Sequence, residues 1–226
     1  RRRPPRRRAR VPQQLREPKK EALLRAAIPK LTGIESAVSR LNRQRYIAAF
    51  LNLLKASREE LARIVTLENG KTIRESRAEV DSALVEGGYH LQQAAEFFSA
   101  PSLKLRSASP DANLRTWVKL EPIGVAGIIS PWNFPMNVMC RKTLPALLTG
   151  NTVVFKPATF TPWSGIYMAQ LFERAGLPPG VFNCITGLGS SIGDAIVNDP
   201  RVRAISFTGS TAVGKKIQAK AAANLT

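Results

Sequence analysis

Histidine is nearly absent: His90 stands alone in 226 residues. A metal centre built from several imidazoles, or a Ser-His-Asp triad, has little to draw on. Cysteine is scarce as well. Cys140 and Cys184 cannot make a disulfide framework, and a reduced compartment, the cytoplasm, is the simpler expectation. No run of 18 apolar residues occurs, so no membrane span is expected. Acidic residues are few, 16 against 34 Lys and Arg, for a net charge of +18. At 44% hydrophobic residues the chain is too apolar for a disordered protein and lacks the glycine repeat of collagen. Its length suits one domain or two small ones, with a core that needs no staple.

A charge of that size points to nucleic acid or an acidic surface, but it is spread unevenly. Residues 1–20 hold ten Lys and Arg against Glu17, a local +9 and half of the total. The run RRRPPRRRARVPQQ has almost no apolar content, and Pro4, Pro5 and Pro12 oppose helix. A disordered Arg/Pro-rich tail is expected over residues 1–20. A dispensable tail, an arm for nucleic acid or anionic membrane, and a targeting segment all fit this composition. No apolar stretch follows to support the last. No base-reading helix, RNA-binding aromatic pair or zinc spacing accompanies the tail, so a basic nucleic-acid-binding protein is the weaker functional class.

Residues 21–113 read as a helical region with a linker. Leu41, Ile47, Phe50, Leu51 and Leu54 fall on one helical stripe. Ser57 and Glu60 have capping-box spacing ahead of Leu61, Ile64, Val65 and Leu67, and Gly70 ends that helix. Residues 74–99 form a third helix interrupted at Gly87 and Gly88, with His90 packed or solvated within it. Ser99 to Asn113 is a linker, and Leu114 to Leu120 alternates like a strand.

Residues 114–226 carry short apolar runs between helical stretches. Strands are expected at Val125–Ile129, Thr152–Phe155, Val181–Ile185 and Ala204–Phe207, with helices at Val138–Leu148, Trp163–Ala175, Ile192–Val197 and Thr211–Ala222. That alternation means βαβ units: an α/β fold with a Rossmann-like parallel sheet and flanking helices. Ligands of such sheets bind beyond the carboxyl ends of the strands. The unusual residues lie there: Ser130-Pro131-Trp132-Asn133-Phe134-Pro135, Lys156-Pro157-Ala158-Thr159, Gly187-Leu188-Gly189 with Gly193, and Thr208-Gly209-Ser210. Helix N-termini beside small residues offer free N–H groups to a phosphate-bearing ligand. Each signal has an ordinary alternative. The glycines fit tight turns, Lys156 fits a surface lysine, and Trp132 fits a cap on the sheet.

At Pro131-Trp132-Asn133-Phe134-Pro135 the sequence resembles the aldehyde dehydrogenase superfamily. Leu67-Glu68-Asn69-Gly70-Lys71-Thr72, Gly150-Asn151-Thr152-Val153-Val154-Phe155-Lys156-Pro157, Ala175-Gly176-Leu177-Pro178-Pro179-Gly180-Val181-Phe182-Asn183 and Phe207-Thr208-Gly209-Ser210 extend the likeness in order over residues 35–226. The resemblance implies an NAD(P)-dependent oxidoreductase that converts an aldehyde or semialdehyde to its acid. Ser130 and Trp132 would line the cofactor cleft. Lys156 would reach the adenosine ribose, and Gly189 and Gly193 would allow close approach near the adenine. Ser210 would bind the pyrophosphate, with Val213 packed nearby, and Asn133 would donate to the aldehyde oxygen as half of an oxyanion hole. NAD or NADP would be the cofactor. Many NAD-preferring members carry Glu where Thr159 stands, so tolerance of NADP is expected. The nearest likeness is to 2-oxoglutarate semialdehyde dehydrogenases.

The resemblance also places the nucleophilic Cys and the catalytic Glu beyond residue 226, so a truncated fold without the catalytic domain, inactive alone, is expected. Half of a split enzyme completed by a second chain is the alternative. The resemblance implies a homo-oligomer if the chain is complete, with an aldehyde as substrate of the intact enzyme. Cys140, on a sheet-covering helix, and Cys184, inside a strand, are expected to be packed thiols rather than nucleophiles.

Overall fold

The computed structural model describes residues 40–99, 104–105, 116–117 and 120–224. Three helices come first: α1 (Arg40–Ala56), α2 (Arg58–Asn69) and α3 (Ile73–Ser99). The stripe on α1 buries Ile47, Phe50 and Leu54, while Leu41 lies outside it, exposed. On α2 the buried set is Leu61, Ala62, Ile64 and Val65, and Leu67 is exposed.

The capping box expected at Ser57 and Glu60 does not form; Ser57 makes no side-chain cap bond. Its N–H donates to Leu53 C=O at 2.9 Å and its C=O accepts from Leu61 N–H at 3.0 Å. One helix thus runs into the next, and no orphan donors call for a cap. The reciprocal box lies one element later. Thr72 N–H donates to Glu75 Oε2 at 2.9 Å, and Glu75 N–H to Thr72 Oγ1 at 3.3 Å, which starts α3. Gly70 closes α2 as expected, at φ +86°.

Nor do Gly87 and Gly88 interrupt α3, which is continuous. A Cβ at Gly87 would come within 2.3 Å of Leu51 Cδ2 and 3.1 Å of Leu144 Cδ1. The missing side chain is what lets α3 pack closely on its neighbours. The linker expected from Ser99 contains a strand, β1 (Lys104–Leu105), antiparallel to β2 (Thr116–Trp117). The rest of the strand expected over 114–120 lies largely outside the described residues, as does the tail.

The α/β half follows the expected alternation: β3 (Val125–Ile129), α4 (Asn137–Leu148), β4 (Thr152–Lys156), α5 (Pro162–Arg174), β5 (Phe182–Cys184), a π-helical turn (Gly189–Gly193), α6 (Asp194–Asn198), β6 (Val202–Phe207) and α7 (Thr211–Ala222). The sheet order is β5-β4-β3-β6, and every pairing is parallel. Strands β3 and β4 are buried at every residue, which is why they read as plain apolar runs. Asn151 sets their register: its Oδ1 accepts from Ile123 N–H at 2.7 Å and Gly124 N–H at 3.0 Å.

Both faces of the sheet are covered. On one, Phe50 of α1, Val80 of α3, Leu144 of α4 and Phe172 of α5 share a cluster with Ile128 and Phe155. Phe50 and Phe172 stack with ring centroids 3.9 Å apart. On the other face, Ile196 packs on Val125, Val154 and Val202, and Ala221 packs on Ile129 and Val197. Among the described residues no helix is long and apolar enough to cross a membrane.

Candidate functional site

Strands β3 and β6 are neighbours, yet the helices after them leave for opposite faces of the sheet. Their carboxyl ends therefore splay apart and open a crevice, the usual ligand position in a doubly wound sheet. The cleft there has a volume of about 410 Å3. The β3 end supplies Ser130, Pro131, Trp132 and Asn133; the β6 end supplies Phe207, Thr208, Gly209, Ser210 and Val213; Ala158 closes the wall. A second hollow of about 350 Å3 adjoins it between the π-helical turn and α7, lined by Gly189, Gly193, Lys216 and Lys220. Phe207 and Val213 line both hollows.

The fold thus brings together seven of the nine residues singled out from the sequence. Ser130, Trp132, Asn133 and Ser210 face the first hollow, Gly189 and Gly193 the second, and Val213 both. Trp132 is 55% exposed, so it does not cap the sheet. Lys156 and Thr159 line neither hollow. Lys156 is only 3% exposed, and its Nζ donates to Pro157 C=O at 2.9 Å. The strand end that carries it lies between β3 and β5, and burial lowers the pKa of its ammonium. It is not the surface lysine its sequence position allowed. Thr159 is exposed and ties the second strand end to the third, its Oγ1 donating to Gly187 C=O at 3.2 Å.

The helix N-termini around the cleft are not equivalent. Neither α4 nor α5 has a capping side chain of its own. Both are capped from the corner between α2 and α3. Glu68 Oε2 accepts from Trp163 N–H at 2.8 Å and Oε1 from Ser164 N–H at 3.0 Å, at the start of α5. Glu79 Oε1 accepts from Met136 N–H at 2.9 Å and Asn137 N–H at 3.4 Å, at the start of α4. These carboxylates occupy donors that the sequence reading left free for phosphate. At α7 the cap is local and long: Ser210 Oγ accepts from Val213 N–H at 3.4 Å. That N-terminus, inside the first hollow, carries no acidic residue in its first turn. It is the helix start best suited to an anion.

A family model for the aldehyde dehydrogenase family matches residues 9–226. The chain belongs to the aldehyde dehydrogenase family. The match begins well before residue 35 and takes in part of the arginine-rich segment, which the sequence reading left unmatched. The chain is 41% identical over 183 residues to a mitochondrial succinate-semialdehyde dehydrogenase of Arabidopsis thaliana, covering 80% of this chain and 33% of that protein. It is 42% identical over 168 residues to a 2,5-dioxopentanoate dehydrogenase of Saccharolobus solfataricus, covering 73% and 34%. Its fold matches a crystal structure of betaine aldehyde dehydrogenase from Staphylococcus aureus in complex with NAD+, with a TM-score of 0.84 and 34% identity, covering 93% of this chain and 41% of that one. The chain spans about a third of the length of these curated relatives.

Within this aldehyde dehydrogenase chain neither thiol is activated. Cys140 is fully buried, and burial, then the negative charge of Glu79, pushes its pKa up. Cys184 is pushed up to about 12 by burial, with Lys156 opposing. A nucleophilic cysteine needs exposure and a lowered pKa, and each has the reverse shift.

The sequence reading missed the residues that hold the cleft. It named Glu68, Asn69 and Lys71 only as part of a motif, and Glu79 not at all. Glu79 was detectable as a charge beside the buried positions Ser76, Val80 and Ala83 of α3, where an acid is out of place unless something pairs with it.

Proposed function

We propose that the chain is the dinucleotide-binding part of an NAD(P)-dependent aldehyde dehydrogenase that oxidises a semialdehyde to its acid. The observation that carries this is the crevice between β3 and β6, with Asn133 on one wall and the start of α7 on the other. Ser210 and the first-turn N–H groups of α7 would hold the pyrophosphate. Gly189 and Gly193, which line the second hollow, would let the adenosine approach the backbone. A bound nicotinamide would supply the hydride acceptor. Asn133 offers its side-chain amide to the aldehyde oxygen. That oxygen gains charge as a thiolate adds, so a fixed donor there favours the transition state over the ground state.

Two features support the finer reading. Thr159 lines neither hollow, but at the second strand end it carries a hydroxyl, bonded to Gly187 C=O, and no carboxylate to repel a 2′-phosphate, so NADP is accepted beside NAD. The 2,5-dioxopentanoate enzyme among the relatives acts on the semialdehyde of 2-oxoglutarate, the subgroup the Lys156–Pro162 and 175–193 stretches resemble. A short dicarboxylic semialdehyde is therefore the substrate class.

The test is a pair of titrations of the chain with NAD and NADP. Binding of both is expected, and a preference for NAD above about a hundredfold overturns the reading of Thr159. With both thiols packed, the 226-residue chain is expected to show no aldehyde turnover with either cofactor. Turnover above a heat-killed control refutes that expectation.

A further inference from the structure

We propose that Glu79, Lys71 and Asn69 form a positioning set that fixes the direction of Asn133. The inference rests on the reading of Asn133 given above and adds what holds it in place. Asn133 is exposed on the cleft wall, so packing around its own side chain does not fix it. Its neighbours are gripped instead. On one side the Asn69 amide donates to Trp132 C=O. On the other, Glu79 accepts from the Met136 and Asn137 N–H groups at 2.9 and 3.4 Å. Between them Lys71 Nζ lies 3.9 Å from the Phe134 ring centroid while it pairs with Glu79 Oε2. The Asn137 side chain donates to Ser82 Oγ at 2.9 Å. Residues 132, 134, 136 and 137 are thus tied to α3 and the corner before it, and residue 133 is left to face the cleft.

The chemistry chosen is more than a helix start requires. A Ser or Asp at position 136 would cap α4 locally, but Met136 stands there. The cap comes from a carboxylate 2% exposed, an arrangement that is costly unless the group is paired and hydrogen-bonded. Glu79 has both an ammonium and two N–H partners. A donor aimed at a developing oxyanion works only when held in place before the reaction, and a long-range clamp on both flanks supplies that hold.

The experiment is amide exchange and side-chain NMR on the 15N-labelled full chain, as wild type, Glu79→Gln, Lys71→Met and Asn69→Ala. In Glu79→Gln, exchange at Met136 and Asn137 is expected to quicken about tenfold, the factor that loss of one typical cap implies. The Asn133 side-chain resonances should move toward those of a freely rotating amide. Amides of β3 and β4 should keep their protection, whereas a merely structural role would speed exchange across the sheet equally. If Glu79→Gln or Lys71→Met, each of which leaves half of the Lys71–Glu79 ion pair without its partner, does not fold, Asn69→Ala carries the test, since it removes one exposed hydrogen bond and leaves no buried charge unpaired. Unchanged Asn133 resonances in folded variants overturn the proposal. An NADP titration of the wild type separates the two readings. No binding there sinks the cofactor reading and leaves a loosened loop as support for the clamp; binding with an unmoved loop sinks the clamp alone.

Discussion

Replacing Glu68 by alanine tests the idea that the helical front end holds the loops of the sheet. The carboxylate makes two hydrogen bonds, at 2.8 and 3.0 Å, to the first free N–H groups of α5. Pro162 precedes them and has no N–H, and Thr161 makes no side-chain cap bond, so no local group takes over. Loss of a cap costs about 0.5–2 kcal/mol, and removing a negative charge from a helix N-terminus adds about 0.3–1 kcal/mol. For Glu68→Ala the expected destabilisation is therefore about 0.8–3 kcal/mol. Glu68→Gln keeps one acceptor and loses the charge, so about half that cost is expected. With a urea m-value of about 2–3 kcal/mol/M, the midpoint for Glu68→Ala should fall by about 0.3–1.5 M at unchanged m. The assay is urea unfolding followed by circular dichroism. A shift below about 0.2 M, or equal shifts for the two variants, refutes the trans cap.

Other perturbations separate other terms. Gly70→Ala meets no atom within 4 Å but must adopt φ +86°, so its cost of about 1–2 kcal/mol, read from thermal unfolding, is purely backbone. Phe172→Ala removes a ring stacked on Phe50 at 3.9 Å and should cost about 3–5 kcal/mol in the same measurement. On the reading of Thr159 above, Thr159→Glu adds a carboxylate beside the 2′-phosphate and should weaken NADP about tenfold while leaving NAD nearly unchanged in parallel titrations. Cys184, with its pKa raised from 9.0 to about 12, stays protonated at neutral pH. Its alkylation rate should climb without a plateau up to about pH 11, because the thiolate, not the thiol, is the nucleophile. A plateau near pH 9 would show an unburied thiol.

What could be read from the sequence divides along physical lines. The strands β3 and β4 were legible because burial on both faces writes a continuous apolar run, and α7 was legible because Thr208-Gly209-Ser210 marks its start. The cleft was legible because its walls, Trp132 and Asn133 on one side and Ser210 on the other, sit where strands end. The clamp was not. Glu79 and Met136 are 57 residues apart, and Glu68 and Trp163 are 95 apart. No local pattern records which acid caps which helix. The same limit explains Ser57 and Glu60, whose spacing fits a capping box although two helices merge there with no end to cap. Whether Lys156 was a surface lysine or a ligand-binding one stayed open in the sequence, because a lysine at a strand end gives no sign of the sheet neighbours that bury it.

The trans caps also bear on how the chain is made. A ribosome adding about 5–20 residues per second finishes Glu68 some 5–19 s before Trp163 exists, since the two are 95 residues apart. For that interval the front helices can pack on one another, but Glu68 has no helix start to cap. The helices made first complete the loops made last, so the two halves must settle together once the second strand–helix unit is out. A ribosome-bound series released at increasing lengths would show the Trp163 and Ser164 amides protected as soon as they emerge, because their acceptor Glu68 is already made.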